Sequence, residues 1–179
     1  MEKYESNANE ERPSRYYRLL RDNEQPVEDG IQAKDPCAQV DLTCHVENGS
    51  YNKSQYISCT ETSESVLDWG KHNIRNGFSD HMRIAVIDAV QLDLTGGVTI
   101  YDCEWLRENL KTEKAINFAN EYNEVVVEGN IGQEYIVQVI EATFSDATFS
   151  DAVSEYVKKG FEKESDKRIT ELGYMLGFL

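Results

Sequence analysis

Three observations predict a compact α+β fold for this chain, a sheet with flanking helices. Strand-like and helix-like segments run in the order strand, strand, helix, strand, helix, strand, strand and helical tail, without the regular alternation of a doubly wound sheet. No GxGxxG or GxxxxGK(S/T) follows a strand-like segment, so the usual phosphate-cradling loops are absent. The length of 179 residues suits one domain with a substantial core.

The elements read as follows along the chain. Residues 1–14 are expected to form a solvated, flexible arm. "RYYRLLR" (15–21) is a short apolar strand edged by arginines, and "DNEQPVEDG" (22–30) is turn-rich, with Pro26 and Gly30 as breakers. "AQVDLTCHV" (38–46) reads as a short strand or turn, "ENGSYNKS" as a loop and "QYIS" (55–58) as a strand. From Glu61 to Asn73 a helix is expected, with Val66, Leu67 and Trp69 near one face and an acidic first turn.

"RIAVIDAVQL" (83–92) is the clearest β run, β-branched and apolar, broken by Gly96 and Gly97. Residues 102–123 read mostly as helix, in one or two pieces. "EVVV" (124–127) is a strand, "EGNIG" a turn and "QEYIVQVIEAT" (133–143) another strand. "ATFSDATFSD" repeats one pentad, too short for a repeat architecture. The end of the chain reads as helical, with Val153, Tyr156, Val157, Ile169, Leu172, Met175 and Leu176 at apolar positions. The expected organisation is an arm over 1–14, a domain over 15–147, and a helical extension over 148–179 packed on that domain or extending it.

Composition excludes several classes. A hydrophobic fraction of 40% with 28% charged residues is that of an ordinary folded protein. A formal charge of -15 disfavours nucleic acid as a non-specific partner, although Arg12, Arg15, Arg18 and Arg21 cluster near one end. The N-terminus has no apolar signal-like stretch, and no apolar run approaches the length of a membrane span. A cytoplasmic setting without membrane contact is therefore expected. Cys37, Cys44, Cys59 and Cys103 form no CxxC pair and are read as reduced thiols. His45, His72 and His81 make no HExxH, so no metal is expected.

Three segments carry candidate chemistry. Arg18 lies inside the strand-like "YYRLL", and its planar guanidinium suits paired contacts to phosphate oxygens. Ser58 and Thr60, two apart on an extended segment, point to one side. Thr60, Thr62 or Ser63 equally suits the cap of the following helix. Glu124 opens "EVVV", where one carboxylate can project from a rigid sheet. Glu128 and Glu134 are rival carboxylates, and Glu128 is expected to share the face of Glu124. His45 reads as structural, orienting the loop before "QYIS". Tyr17 and Tyr56 are core or ring-stacking positions, and Trp69 is helix packing.

An Arg in a first strand, "SxT" ending a second strand before a helix, and Glu just before "VVVxGxI", in that order, resemble the mono-ADP-ribosyltransferase toxins. The likeness is to the group with an Arg–Ser–Glu arrangement, such as cholera toxin, and covers roughly residues 15 to 140. The resemblance implies a split antiparallel sheet core and NAD as co-substrate, with no metal. It also implies roles: Arg18 holding NAD through phosphate or the adjacent ribose, Ser58 ordering the nicotinamide-ribose site, Thr60 supporting the same strand, and Glu124 as the catalytic carboxylate. The resemblance further implies a toxin-like effector, resident in the cytoplasm or delivered to a target cell's cytoplasm by other proteins.

Many members that modify arginine carry a second Glu or Gln two residues before the catalytic Glu. Here that position is Tyr122, with Glu121 one residue further back. The acceptor stays open between a protein side chain, a nucleic acid and a small molecule. Water as acceptor would make the protein a NAD glycohydrolase. A non-catalytic binding module with the same fold is the remaining alternative.

Overall fold

The computed structural model of the protein describes residues 13–49, 52–76, 78 and 81–143. Six strands form one antiparallel sheet: β1 (Arg15–Leu19), β2 (Tyr56–Thr60), β3 (His81–Asp88), β4 (Thr99–Tyr101), β5 (Glu124–Glu128) and β6 (Ile136–Thr143). Their spatial order is β4-β5-β2-β1-β3-β6. β2 pairs with β5 along its whole length, from Tyr56↔Glu128 to Thr60↔Glu124, and β1 pairs with β3 from Arg15↔Asp88 to Leu19↔Ile84. Between them, β1 and β2 meet at the single register pair Tyr17↔Thr60. The sheet is therefore split at its centre into β4-β5-β2 and β1-β3-β6.

Six helices flank the sheet: α1 (Pro26–Asp29), α2 (Leu42–Asn48), α3 (Ser63–Arg75), α4 (Ala89–Thr95), α5 (Cys103–Asn109) and α6 (Glu113–Tyr122). Five begin with an Asp or Thr whose side chain accepts a first-turn amide: Asp41, Thr62, Asp88, Asp102 and Thr112. Each satisfies a donor that a helix start leaves unpaired. α1 starts at a proline and ends at Gly30, whose φ of 69° is left-handed. A Cβ there would lie 2.3 Å from the Ile131 carbonyl oxygen, so both conformation and space require glycine.

Strand alternation sorts the core into layers. Ile57, Cys59, Ala85, Ile87, Val125 and Val127 point to one face, beneath Ile31, Leu92 and Ile131. The opposite face divides at the split. Val66 and Leu67 of α3 cover Met82, Ile84, Val86 and Ile140, while α2, α5 and α6 cover Val126 through Val46, Leu106, Ala115 and Ala119. A sheet covered on both faces explains why Val125, Val126 and Val127 are all buried.

The α+β architecture expected from the sequence is the one found, with corrections to individual elements. Residues 38–46, expected as strand or turn, instead lead into α2 at Leu42, because Asp41 caps a helix that buries Val46. His45 is therefore on a helix, not in a loop. The β run expected over 83–92 stops at Asp88, whose carboxylate accepts from Gln91 N and starts α4. A continuous apolar run such as "AVIDAVQL" has no period that marks this border. Residues 133–135 are a 3-10 turn before β6 begins. α1 and the short β4 were not anticipated. The expected helical tail over 148–179 and most of the expected N-terminal arm lie outside the described residues. No described helix is long and apolar enough to cross a membrane.

Candidate active site

A cleft of about 760 Å³ opens over the split, with Arg18, His45, Tyr56, Ser58, Trp69 and Tyr122 among its lining residues. The split itself is bridged by Arg18. Its Nη1 donates to the Ser58 carbonyl oxygen at 2.7 Å, where a regular sheet would place a ladder hydrogen bond, and its Nη2 donates to Glu24 Oε1 at 2.8 Å. Glu24 also accepts from Arg21 N at 2.7 Å and Arg21 Nη2 at 2.8 Å. Burial opposes the Glu24 charge, but the two guanidiniums and the backbone amide outweigh it and hold its carboxyl at about 2. Glu24 is thus a fixed anion bracing two arginines at the cleft edge. The cleft wall continues to Lys34, so three cationic side chains, Arg18, Arg21 and Lys34, line the cleft.

A second polar chain runs through β2. Ser54 Oγ lies 2.7 Å from His45 Nδ1, His45 Nε2 lies 3.0 Å from Ser58 Oγ, and the Ser58 hydroxyl hydrogen-bonds the Glu124 carboxylate. Burial, then the neighbouring Arg18 and Lys34 charges, push His45 down to about 4, so its ring is neutral near pH 7. One assignment of hydrogens satisfies the whole chain when Glu124 is ionised. Ser58 donates to Glu124, His45 Nε2–H donates to Ser58, and Ser54 donates to His45 Nδ1. Helix α2 thereby fixes the rotor of the serine that faces the carboxylate.

Glu124 is 1% exposed, and its Oε2 has no partner. Burial raises its carboxyl from 4.5 to about 7, against the lowering effect of the Ser58 hydrogen bond. Among the described residues three buried side-chain polar atoms lack partners: Arg18 Nε, Arg21 Nε and Glu124 Oε2. All three belong to this one region. Such atoms are costly to leave unsatisfied and mark places where a structure holds polar capacity in reserve.

The structure brings Arg18, Ser58 and Glu124 together across residues far apart in sequence. Thr60 lies opposite Glu124 on the same sheet face, but it is fully buried and its hydroxyl donates to the Thr62 carbonyl oxygen at 2.9 Å. The helix cap is Thr62, which accepts from Ser65 N. Glu128 shares the face of Glu124 at the far end of β5, where it accepts from Tyr101 Oη at 2.7 Å. Glu134 is exposed on the 3-10 turn. Tyr17 packs beside Val66 and Met82, and Tyr56 lies against His45 at a ring separation of 5.3 Å.

Trp69, on α3, does pack against helix α6. Its ring is 5.9 Å from Tyr122 and 6.4 Å from Phe118, and this aromatic group forms one wall of the cleft. Sequence reasoning missed Glu24 and the place of His45 in the site. The spacing Arg18, Arg21, Glu24 was visible, but only the turn after β1 aims all three at one point. For His45, Asp41 ahead of Leu42 and Val46 was the available helix signal. Among the described residues no three His, Cys, Asp or Glu side chains cluster to hold a metal ion.

An open antiparallel six-stranded sheet with six helices is an architecture similar to that of toxin ADP-ribosyltransferase structures. Among solved structures, EcPltA matches with a TM-score of 0.55 at 19% identity, over 75% of this chain and 78% of that one. At that identity the likeness shows the fold alone. The nicked CARDS toxin gives a TM-score of 0.47 at 15% identity, over 72% of this chain and 25% of that one. By its sequence the chain belongs to the family described as a domain of unknown function, DUF7587, whose profile matches residues 2–145. No curated protein matches it.

Proposed function

We propose that this protein is a NAD-dependent mono-ADP-ribosyltransferase of toxin or effector type, transferring ADP-ribose to an acceptor that is a protein side chain. The observation that carries the reading is that Arg18 and Ser58 line one cleft and the Ser58 hydroxyl is bonded to the buried Glu124, with the unpartnered buried polar atoms on Arg18, Arg21 and Glu124. Cationic Arg18, Arg21 and Lys34 suit the diphosphate of NAD, and guanidiniums already held by Glu24 need little reorganisation to bind it.

In the reaction the bond between ribose C1′ and the nicotinamide nitrogen breaks, and its electron pair leaves with nicotinamide. The ribose passes through an oxocarbenium-like state, as in glycoside cleavage. Ionised Glu124 stabilises that positive charge and accepts a hydrogen bond from a ribose hydroxyl at its vacant Oε2. Ser58, held by His45, keeps the other side of the carboxylate oriented. The acceptor then bonds to C1′ and gives up its proton.

Water as the acceptor is the second reading. It is favoured by Tyr122, which is packed on Trp69 and Phe118 where arginine-modifying relatives carry a second acid. The deciding experiment measures nicotinamide release from NAD by purified protein, alone and with cell lysate, beside Glu124→Gln. Release that needs lysate and is lost in the variant supports a transferase. Release without lysate supports the glycohydrolase or self-modification. Neither release nor NAD binding under any condition sinks the enzymatic reading and leaves a binding module with this fold.

A further inference from the structure

Among the described residues Asn123 is the only non-glycine with a positive φ, at φ 45° and ψ 52°. It ends α6 and directly precedes Glu124. Left-handed backbone is costly for a residue with a Cβ, and Asn tolerates it better than most. A left-handed residue closing a helix is by itself an ordinary end. What sets Asn123 apart is where its side chain goes. Four asparagines stand at helix C-termini among the described residues. Asn48, Asn76 and Asn109 each donate their amide to a carbonyl four positions back on their own helix, at 2.8, 2.8 and 2.9 Å. Asn123 donates instead to Ser65 Oγ at 3.0 Å, on α3 and 58 residues away in sequence.

The backbone of Asn123 is held as well. Its N–H donates to the Ala119 carbonyl oxygen and closes α6, and its carbonyl oxygen accepts from Glu61 N at 3.0 Å, in the connection from β2 to α3. Ser65 is buried, and its hydroxyl oxygen also accepts from Thr62 Oγ1 at 2.8 Å, while Thr62 Oγ1 accepts from Ser65 N. One residue thus ties the end of α6, the exit from β2 and the first turn of α3, beside the register pair Thr60↔Glu124. Glu124 has few holds of its own. The Ser58 hydroxyl donates to its carboxylate, and Oε2 has no partner. A carboxylate gripped on one oxygen takes its position from the backbone that carries it.

We propose that Asn123 is a positioning residue for Glu124: its left-handed turn and its hydrogen bond to Ser65 together set how β5 enters the sheet, and so hold the carboxylate against Ser58. The inference rests on the reading of Glu124 as the working carboxylate. Asn supplies both parts at once. Glycine, the commonest residue at such a helix end, would keep the turn and lose the donor. Alanine would lose the donor and carry the strain as well.

Asn123→Gly in the full-length protein separates the two contributions, because it keeps the turn and removes only the donor. It is expected to lower kcat for nicotinamide release about tenfold or more, with KM for NAD changed by less than about twofold. Carbon-13 NMR of the Glu124 carboxyl, without NAD, gives a readout independent of turnover. Its titration midpoint should rise in Asn123→Gly by about half a pH unit or more, because the Ser58 hydrogen bond that lowers it is loosened. Ser65→Ala should produce both effects, and the double variant should be no worse than either single one, since both break the same bond. Asn109→Ala, which removes an amide bond confined to α5, should move neither. An unchanged Glu124 midpoint in Asn123→Gly and Ser65→Ala, a loss carried by KM with kcat intact, or additive losses in the double variant overturns the proposal. A wild type that releases no nicotinamide defeats the enzymatic reading alone, and the Glu124 midpoint then decides the positioning role.

Discussion

Glu24 and Glu124 are both buried carboxylates at one site, and the protein treats them in opposite ways. Glu24 has both oxygens engaged by Arg18 and Arg21 and is held at about 2. Glu124 has a serine on one oxygen and nothing on the other, and sits at about 7. The turn after β1 spends its polar groups on each other and makes a rigid cationic edge. The start of β5 keeps a carboxylate whose charge is unstabilised until something arrives. Burial alone therefore does not fix the state of a buried carboxylate; the count of satisfied hydrogen bonds does.

The largest effect expected from breaking this contrast is on turnover. Glu124→Gln should lower nicotinamide release by about a thousandfold, since a preorganised charge facing a developing cation is commonly worth about 3–4 kcal/mol. The same variant should be the more stable protein at pH 8, by up to about 3 kcal/mol, because Gln does not ionise in that buried place. The sign follows from a folded-state value above 4.5: stability linked to the wild-type carboxyl is full below pH 4.5 and lost as pH rises towards 7. Denaturant unfolding of both proteins at pH 4 and pH 8 checks it, and equal differences at the two pH values would contradict the burial of Glu124.

Glu24→Gln should behave in reverse. It leaves Arg18 and Arg21 buried without their anion and should cost about 3 kcal/mol at pH 7. The folded value of Glu24 lies below 4.5, so the stability it contributes is present above pH 4.5 and lost as pH falls towards 2. The gap between wild type and variant should accordingly close in acid, as measured by unfolding midpoints from pH 7 to pH 3.

The two carboxylates also separate in a pH–rate profile. If Glu124 serves as proposed, release should rise with pH through about 7 and flatten above it, because the proposal assigns the work to its ionised form. A flat profile between pH 5 and 8 would remove Glu124 from the rate-determining chemistry. A smaller effect is expected at the far end of the polar chain. Ser54→Ala removes one hydrogen bond to His45 and should slow release about fivefold, the worth of a single net hydrogen bond. Loss of activity as large as that of Glu124→Gln would mean that Ser54 fixes the fold of the site and not only the ring of His45.

Much of the frame was legible in the residues. Alternating and β-branched runs located β2, β3, β5 and β6, and the Thr and Asp caps sit where the helices begin. The order of Arg18, Ser58 and Glu124 along three strands could be read because each lies on or beside a local pattern that a single segment determines. What could not be read were borders inside apolar runs, such as Asp88, and groups in turns, such as Glu24. Nor could a one-dimensional pattern show that His45 would stand between two serines.

By itself the sequence determined five of the six strands, three of the six helices and the three residue types on which the candidate site rests. These depend on interactions between neighbours a few positions apart. The tertiary structure alone decided that β1 and β2 meet at one pair and part beyond it, so that Arg18 reaches the Ser58 carbonyl, 40 residues away. It alone decided that the Glu24 carboxylate is paired with two guanidiniums and the Glu124 carboxylate with none. Desolvation and charge pairing depend on distances across the fold, and those distances exist only once register and packing have been set.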